Sequence, residues 1–190
     1  MQLLASRLRT RGWPTQVFSY PTVKRDLKRS AAKLQRIIIN SRYCTVHIAA
    51  HSLGGLLSLF ALQTMAGDKV KRVVLLGTPL AGSKVAQRLT ELPLLQHSLG
   101  HSAEWLLRGC QKLPGDTSIG MLAGSRSVGL GRLIRPTAEP NDGTVMVSET
   151  RRPELQDHLV TATSHTGMLF SRQLAAQTDH FFRQGRFARQ

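Results

Sequence analysis

Residues 50–55 of the chain read AHSLGG, and they join an apolar run, residues 45–49, to a leucine-rich helical stretch. Small residues stand two positions before and two positions after Ser52, at Ala50 and Gly54. This pattern fits a sharp turn between a strand and a helix, because bulky neighbours would collide there. Such a turn strains the serine backbone and lifts its hydroxyl clear of the sheet, next to the N–H groups and positive dipole end of the following helix. The stretch therefore predicts a nucleophile elbow at Ser52.

Two later segments supply the other side chains of a nucleophilic triad. Residues 141–145, NDGTV, place the carboxylate of Asp142 in a tight turn. His165 follows a strand-like run, residues 159–163. The chain order is therefore serine, aspartate, histidine, which is the order of α/β-hydrolases and differs from that of chymotrypsin and subtilisin.

On these residues, and on the loop LGTPLAGS at 76–83, the chain resembles small bacterial lipases and esterases of the α/β-hydrolase superfamily over nearly its whole length. The resemblance implies an α/β fold with a mostly parallel sheet and helices on both faces. It makes Ser52 the nucleophile, His165 the general base and acid, and Asp142 the residue that orients the imidazole. The N–H of Leu53 would contribute to the oxyanion hole. The implied substrates are small-molecule or lipid esters, and the chemistry needs no metal or organic cofactor.

The same triad also serves thioesterases, amidases and acyltransferases, because it specifies the acyl-enzyme and not the leaving group. The carboxylate has alternatives as well: Asp157 closely precedes His165, and Asp116 and Glu149 lie in neighbouring loops. Asp142 is favoured because Pro140 and Gly143 frame a turn that can present a side chain, whereas Asp157 fits the start of a strand. The competing interpretation of Asp142 is an ordinary turn aspartate that bonds its own backbone.

One expected part has no counterpart in the sequence. In the family that the chain resembles, a strand and a His-Gly loop with a second oxyanion donor precede the first helix, which here begins at Met1. The strand would lie beside the nucleophile strand. Three explanations are open: a truncated start, with Met1 an internal methionine; an intact but inactive protein that has kept the fold; or another donor. We favour an N-terminally truncated α/β-hydrolase, since binding alone would not require all three triad members.

Composition predicts one domain, residues 1–190, and raises a question about partners. The formal net charge is +15, and Asp26 is the only acidic residue before residue 68. Within residues 24–36 the basic positions line one face of a predicted helix. That face could contact an anionic membrane surface, in an otherwise disabled hydrolase-fold protein, or it could simply be solvated. Binding to nucleic acid is not expected, because no aromatic residues interleave with the charges and no such motif is present. The oligomeric state cannot be derived from these patterns.

A leucine-rich insertion, residues 84–115, interrupts the alternation of strands and helices. We interpret it as a cap in which Trp105 and Leu106 form a wall of an acyl-binding pocket; the alternative is a single helix packed on the sheet edge. A zinc site at His97 and His101 is not predicted, because the glutamate of the metalloprotease motif is missing.

Strands are expected at 15–20, 45–49, 70–76, 118–123 and 159–163, and helices at 53–65 and 169–182. No secretory signal pattern is present, so we expect a cytoplasmic protein.

Overall fold

The computed structural model describes residues 1–21, 26–92, 99–128 and 138–189. Helices and strands alternate through most of this range. The helices are α1 (Gln2–Arg9), α2 (Leu27–Ile39), α3 (Leu53–Gln63), α4 (Lys84–Glu91), α5 (Ala103–Arg108) and α6 (Arg172–Gln184), and the strands are β1 (Val46–His51), β2 (Val70–Leu76), β3 (Ser118–Gly124) and β4 (Asp157–Thr161). Short 3₁₀ turns lie at Gly100–Ser102, Ser148–Thr150 and Gly167–Phe170.

The four strands form one parallel sheet in the order β1-β2-β3-β4. The predicted strand at 70–76 is confirmed residue for residue as β2. Its continuous run of β-branched and leucine residues is typical of a strand that is covered on both faces, and Val73 to Leu76 are fully buried. By contrast β1 lies at an edge of the sheet, where it pairs with β2 and with no other strand among the described residues.

Helices cover both faces of the sheet, as the fold class predicted. One core cluster joins α2 and α3 to the sheet, and the apolar face of α2 is buried there through Leu27, Ala31, Leu34 and Ile38. The second cluster joins α1 and α6 to the other face. The inward positions predicted for α6 are all buried, namely Leu174, Thr178, Phe181 and Phe182. Both clusters hold the strands in place and so fix the positions of the loops between them.

The prediction of a strand at residues 15–20 is wrong, since the structure assigns no strand there. Its alternating side chains do pack inward: the Phe18 and Tyr20 rings stack with centroids 5.7 Å apart and contact the α2–α3 cluster. The segment therefore contacts the core without forming a strand, because a strand requires a neighbour with which to share a hydrogen-bond ladder. None of the described strands pairs with this segment.

All four strands point the same way, so their carboxyl ends meet at one edge of the sheet. Ser52, Gly77, Asp142 and His165 all follow such ends along the chain. In open α/β sheets this edge is where ligands bind. In the part of the chain that the structure describes, no helix is long and apolar enough to cross a membrane.

Candidate active site

Ser52 occupies a strained turn between β1 and α3. Its backbone has φ 54° and ψ −129°, and among the described residues it is the only one other than glycine with a positive φ. Such a conformation costs about 1–3 kcal/mol and persists only where the surroundings impose it. Here the Ser52 N–H donates to the Leu76 carbonyl at 2.9 Å, which ties the turn to β2. The strained elbow predicted from the sequence is present.

Asp142 and His165 form a direct pair. The Nδ1 of His165 lies 2.7 Å from Oδ2 of Asp142, and the Asp142 side chain is almost fully buried. The main chains of the two residues are also joined, since the His165 N–H donates to the Asp142 carbonyl at 2.8 Å. A carboxylate on Nδ1 fixes the imidazole tautomer and orientation, and leaves Nε2 for proton transfer.

The other carboxylate oxygen of Asp142 bonds the backbone of its own loop, as expected for an ordinary turn aspartate. Oδ1 accepts the N–H groups of Thr144 at 2.9 Å and Val145 at 2.7 Å. The carboxylate therefore does both things: it organises its own loop and it holds His165. These backbone bonds fix the plane of the carboxylate, so that Oδ2 is aimed at the imidazole before any substrate arrives.

The alternative carboxylates have other contacts. Asp157 begins β4, as expected, and its Oδ2 accepts the N–H of Phe187 at 2.7 Å. Glu149 is buried, and its two oxygens accept backbone N–H groups from Lys84 at 2.6 Å and Met146 at 2.9 Å. Burial raises the pKa of Glu149 above its usual value. Asp116 is exposed in the turn before β3. Only Asp142 among these four contacts His165.

His51, the neighbour of Ser52 in the chain, contacts this pair. The His51 ring lies with its centroid 4.5 Å from that of His165. The Ser52 hydroxyl itself makes no hydrogen bond to His165 within the described residues.

Two residues of the loop after β2, Gly77 and Thr78, lie against the candidate site, and neither was predicted to have a role there. Gly77 has φ +55°, and a β-carbon added there would lie 2.9 Å from Asp142 Oδ2 and 3.1 Å from His165 Nδ1. Thr78 is fully buried and donates its hydroxyl to the Ser52 carbonyl at 3.0 Å. The resemblance of residues 76–83 to a lipase loop was the one signal that pointed to them.

Leu53 and Tyr20 lie on the helix side of the elbow. Because Leu53 is the first residue of α3, its N–H has no acceptor within the helix. Tyr20 approaches the next residue, since its hydroxyl would be 3.5 Å from a β-carbon on Gly54. Burial raises the pKa of Tyr20 to about 12, so its hydroxyl stays protonated at neutral pH.

The residues predicted to bind substrate lie on α5, which contacts α3 well beyond the first turn of that helix. The Trp105 ring meets the Phe60 ring edge-on, with centroids 4.8 Å apart. Phe60 is eight residues after Ser52, a rise of about 12 Å along a helix axis. Both Trp105 and Leu106 are partly buried against the α2–α3 cluster, and the Leu106 carbonyl accepts the Ser83 N–H at 2.7 Å. Part of the predicted cap, residues 93–98 with His97, lies outside the described residues.

Solved structures of other proteins share this architecture. The mature form of a lipase from Bacillus licheniformis matches with a TM-score of 0.61 at 21% identity, over 87% of this chain and 76% of that one. A metagenomic carboxyl esterase matches with a TM-score of 0.68 at 18% identity, over 85% and 57% of the two chains. For a meta-cleavage product hydrolase from Pseudomonas fluorescens, the TM-score is 0.60 at 14% identity, over 96% and 84%.

No protein-family model matches the sequence, and a search of the curated proteins finds no match. Identities this low show the fold alone. The parallel sheet, the strained serine turn after β1 and the structural neighbours agree, and together they show that this chain has the α/β-hydrolase fold.

Proposed function

We propose that this chain is a serine hydrolase that cleaves carboxylic esters through an acyl-enzyme. The observation that carries the proposal is the 2.7 Å contact between the buried Asp142 carboxylate and His165 Nδ1, together with a strained serine, at φ 54°, whose neighbour His51 contacts His165. A structural histidine would not need a buried carboxylate on Nδ1, and a structural serine would not need a strained backbone. The structural neighbours include proteins named as a lipase and a carboxyl esterase, which supports the choice of an ester substrate.

In this mechanism the Ser52 hydroxyl attacks the ester carbonyl while His165 Nε2 takes its proton. The carbonyl oxygen becomes an oxyanion, which accepts the Leu53 N–H. His165 then returns the proton to the leaving alcohol, and the acyl-enzyme remains. Water attacks the acyl group in a second round: His165 takes a proton from the water and gives it to Ser52 Oγ as the acyl–oxygen bond breaks, and the carboxylic acid leaves. Asp142 holds and stabilises the charged imidazole throughout.

The experiment is covalent labelling with a fluorophosphonate, together with hydrolysis of p-nitrophenyl esters. We expect labelling of the wild-type chain and its loss in Ser52→Ala. Ser6→Ala, an exposed serine on α1, is the matched control and keeps full labelling. Equal labelling of Ser52→Ala and the wild type would refute the assignment. Repeating the assay with any coding sequence upstream of Met1 tests whether a further oxyanion donor raises turnover, by about 10²–10³ for one donor.

The acyl-wall role of Trp105 and Leu106 is part of the same proposal. Both side chains are partly exposed and apolar, in a segment that contacts α3, the helix that begins at the nucleophile. Trp105→Ala and Leu106→Ala should change the preference among esters of different acyl length. An unchanged preference in both variants would remove them from the pocket.

A second candidate function is peripheral contact with an anionic membrane, and the surface of α2 favours it. Four cationic side chains on this helix are exposed: Lys28, Arg29, Lys33 and Arg36, which we term the basic face. None of them forms an ion pair with a described residue. Ile39 at the end of the helix is 57% exposed and Tyr43 is 41% exposed. Cations beside exposed apolar groups suit a lipid headgroup layer, where charges meet anionic lipid and apolar groups enter the interface.

Sedimentation with phosphatidylcholine vesicles, with and without phosphatidylglycerol, tests this contact. We expect binding to anionic vesicles only, and its loss in the Lys33→Glu/Arg36→Glu variant. The matched control is Arg9→Glu/Arg186→Glu, which changes net charge equally at exposed positions outside the basic face. Equal loss in both variants would mean that total charge, and not the basic face, causes binding. Tighter binding of the same face to duplex DNA would favour nucleic acid instead.

A further inference from the structure

His51 stands immediately before the nucleophile, and the triad does not use it. It ends β1 and is partly buried. Its Nε2 lies 2.9 Å from the main-chain carbonyl oxygen of His165, a residue 114 positions later in the chain. The two rings are also in contact, with centroids 4.5 Å apart and planes tilted by 47°.

The chemistry of the acceptor fixes the protonation of the His51 ring. A carbonyl oxygen can only accept, so Nε2 must carry the hydrogen. Burial, and then the nearby His165, lowers the pKa of His51 to about 4, so the ring is neutral at physiological pH. A neutral ring with a proton on Nε2 has a bare Nδ1. His51 therefore acts here as a hydrogen-bond donor of fixed tautomer.

We propose that His51 is a positioning residue that holds His165 in its working orientation, by the Nε2–H bond to the His165 carbonyl and by contact between the rings. The inference rests on the proposed function. His165 is then held at three points: its N–H bonds Asp142 O, its Nδ1 bonds Asp142 Oδ2, and its carbonyl accepts from His51. The first two bonds fix the position of His165 only relative to the loop that carries Asp142. Only the third fixes it relative to the strand that carries Ser52.

Paired variants separate the donor from the bulk of the ring. His51→Gln keeps an N–H donor at about the reach of Nε2, whereas His51→Phe keeps an aromatic ring and removes the donor. We expect kcat for ester hydrolysis to fall about tenfold in His51→Phe with little change in KM, because the base is misplaced and not the substrate. His51→Gln should recover most of kcat. His180→Phe, at a partly exposed histidine on α6, is the control that keeps wild-type kcat.

A second readout does not need turnover. The proton between His165 Nδ1 and Asp142 should give a low-field NMR signal, assigned by its loss in Asp142→Asn. We expect this signal to broaden in His51→Phe and to stay sharp in His51→Gln. In ¹⁵N-histidine spectra of the wild type, the signal that His51→Gln removes should be that of a neutral ring protonated on Nε2.

These measurements also distinguish two kinds of failure. If Ser52→Ala hydrolyses esters as well as the wild type, the proposed function fails, and the NMR signals still decide the role of His51. If His51→Phe keeps both the sharp signal and wild-type kcat, His51 is not a positioning residue. The same holds if His51→Gln loses as much as His51→Phe while both unfold at the wild-type temperature. A His51 ring protonated on Nδ1 in the wild type would overturn the inference even where a variant does not fold.

Discussion

The Thr78 side chain fills the space beside Gly55, where an added β-carbon would lie only 2.0 Å from the Thr78 Oγ1. Since Thr78 is fully buried and also holds the Ser52 carbonyl, it has little room to move. The second glycine after Leu53 is thus required by packing from the neighbouring loop, and the elbow depends on that close approach.

Replacement of each of the two glycines by alanine should therefore have opposite effects. Gly55→Ala should lower the free energy of unfolding by about 1–3 kcal/mol through overpacking. In Gly54→Ala the new β-carbon would meet the Tyr20 hydroxyl at an ordinary 3.5 Å. That variant should be neutral or gain about 0.5–1 kcal/mol, because alanine favours a helix over glycine. Urea unfolding of both variants checks the prediction, and equal effects would contradict it.

Gly77 should be needed for the Asp142–His165 pair. A β-carbon there would lie 2.9 Å from the carboxylate and 3.1 Å from the imidazole, so Gly77→Ala should push the two apart and lower kcat strongly. Gly67 is a matched control: it also has a positive φ, of +94°, but nothing lies within 4 Å of an added β-carbon. Both variants lose stability through backbone strain, and only Gly77→Ala should lose its NMR signal from the Asp142–His165 proton. Retention of that signal would contradict the prediction.

Substitutions of Asp142 should distinguish its two sets of contacts, those within its own loop and the one with His165. Asp142→Asn keeps an oxygen that can accept the Thr144 and Val145 N–H groups, so the free energy of unfolding should change by less than about 1 kcal/mol. It loses the carboxylate on His165, and kcat should fall on the order of 10³–10⁴. Asp142→Ala should lose stability as well, by about 1–3 kcal/mol, since two buried donors are left without an acceptor. Equal unfolding midpoints for Asn and Ala would mean that the turn bonds contribute nothing.

The lowered pKa of His51 predicts the direction of one pH effect. Its pKa is about 4 in the folded chain, against roughly 6.5 when unfolded, so the unfolded chain binds more protons between these values. The contribution of His51 to stability is therefore complete above about pH 6.5 and is lost as the pH falls through 4. The integrated effect is on the order of 3 kcal/mol.

The effect can be isolated by measuring the free energy of unfolding of His51→Gln across this pH range. Subtracting these values from those of the wild type cancels the contributions of the other titrating groups. The variant should show a flatter dependence than the wild type. His101→Gln, at an exposed position, should keep the wild-type slope. An identical slope in all three proteins would mean that His51 does not titrate differently on folding.

Local sequence patterns were sufficient to predict those parts of the molecule that depend only on residues close together in the chain. The bounds of β2 follow from one continuous apolar run, and the strain at Ser52 follows from the small residues around it. The aspartate turn was predictable for the same reason, since Asp142 bonds its own loop. Residues 15–20 show the limit of such reasoning: their alternation is that of a strand, but strand formation depends on a partner elsewhere.

The features that the sequence did not reveal are contacts between distant segments. Thr78 reaches Ser52 from the next strand, and His51 reaches His165 across most of the chain. No periodicity records such contacts, because each depends on where two loops end after the sheet has formed. Gly77 had a clue in its lipase-like loop, but its role became visible only as the space that Asp142 and His165 occupy.

The simple strand order has a consequence for synthesis. Each described strand lies beside the one made just before it, and each is followed along the chain by residues of the candidate site: Ser52, then Gly77 and Thr78, then Asp142, then His165. The proposed base is the last of these to be made. A ribosome makes the proposed nucleophile 113 residues before its proposed proton acceptor, so the growing chain would stay chemically silent until all four described strands had been made.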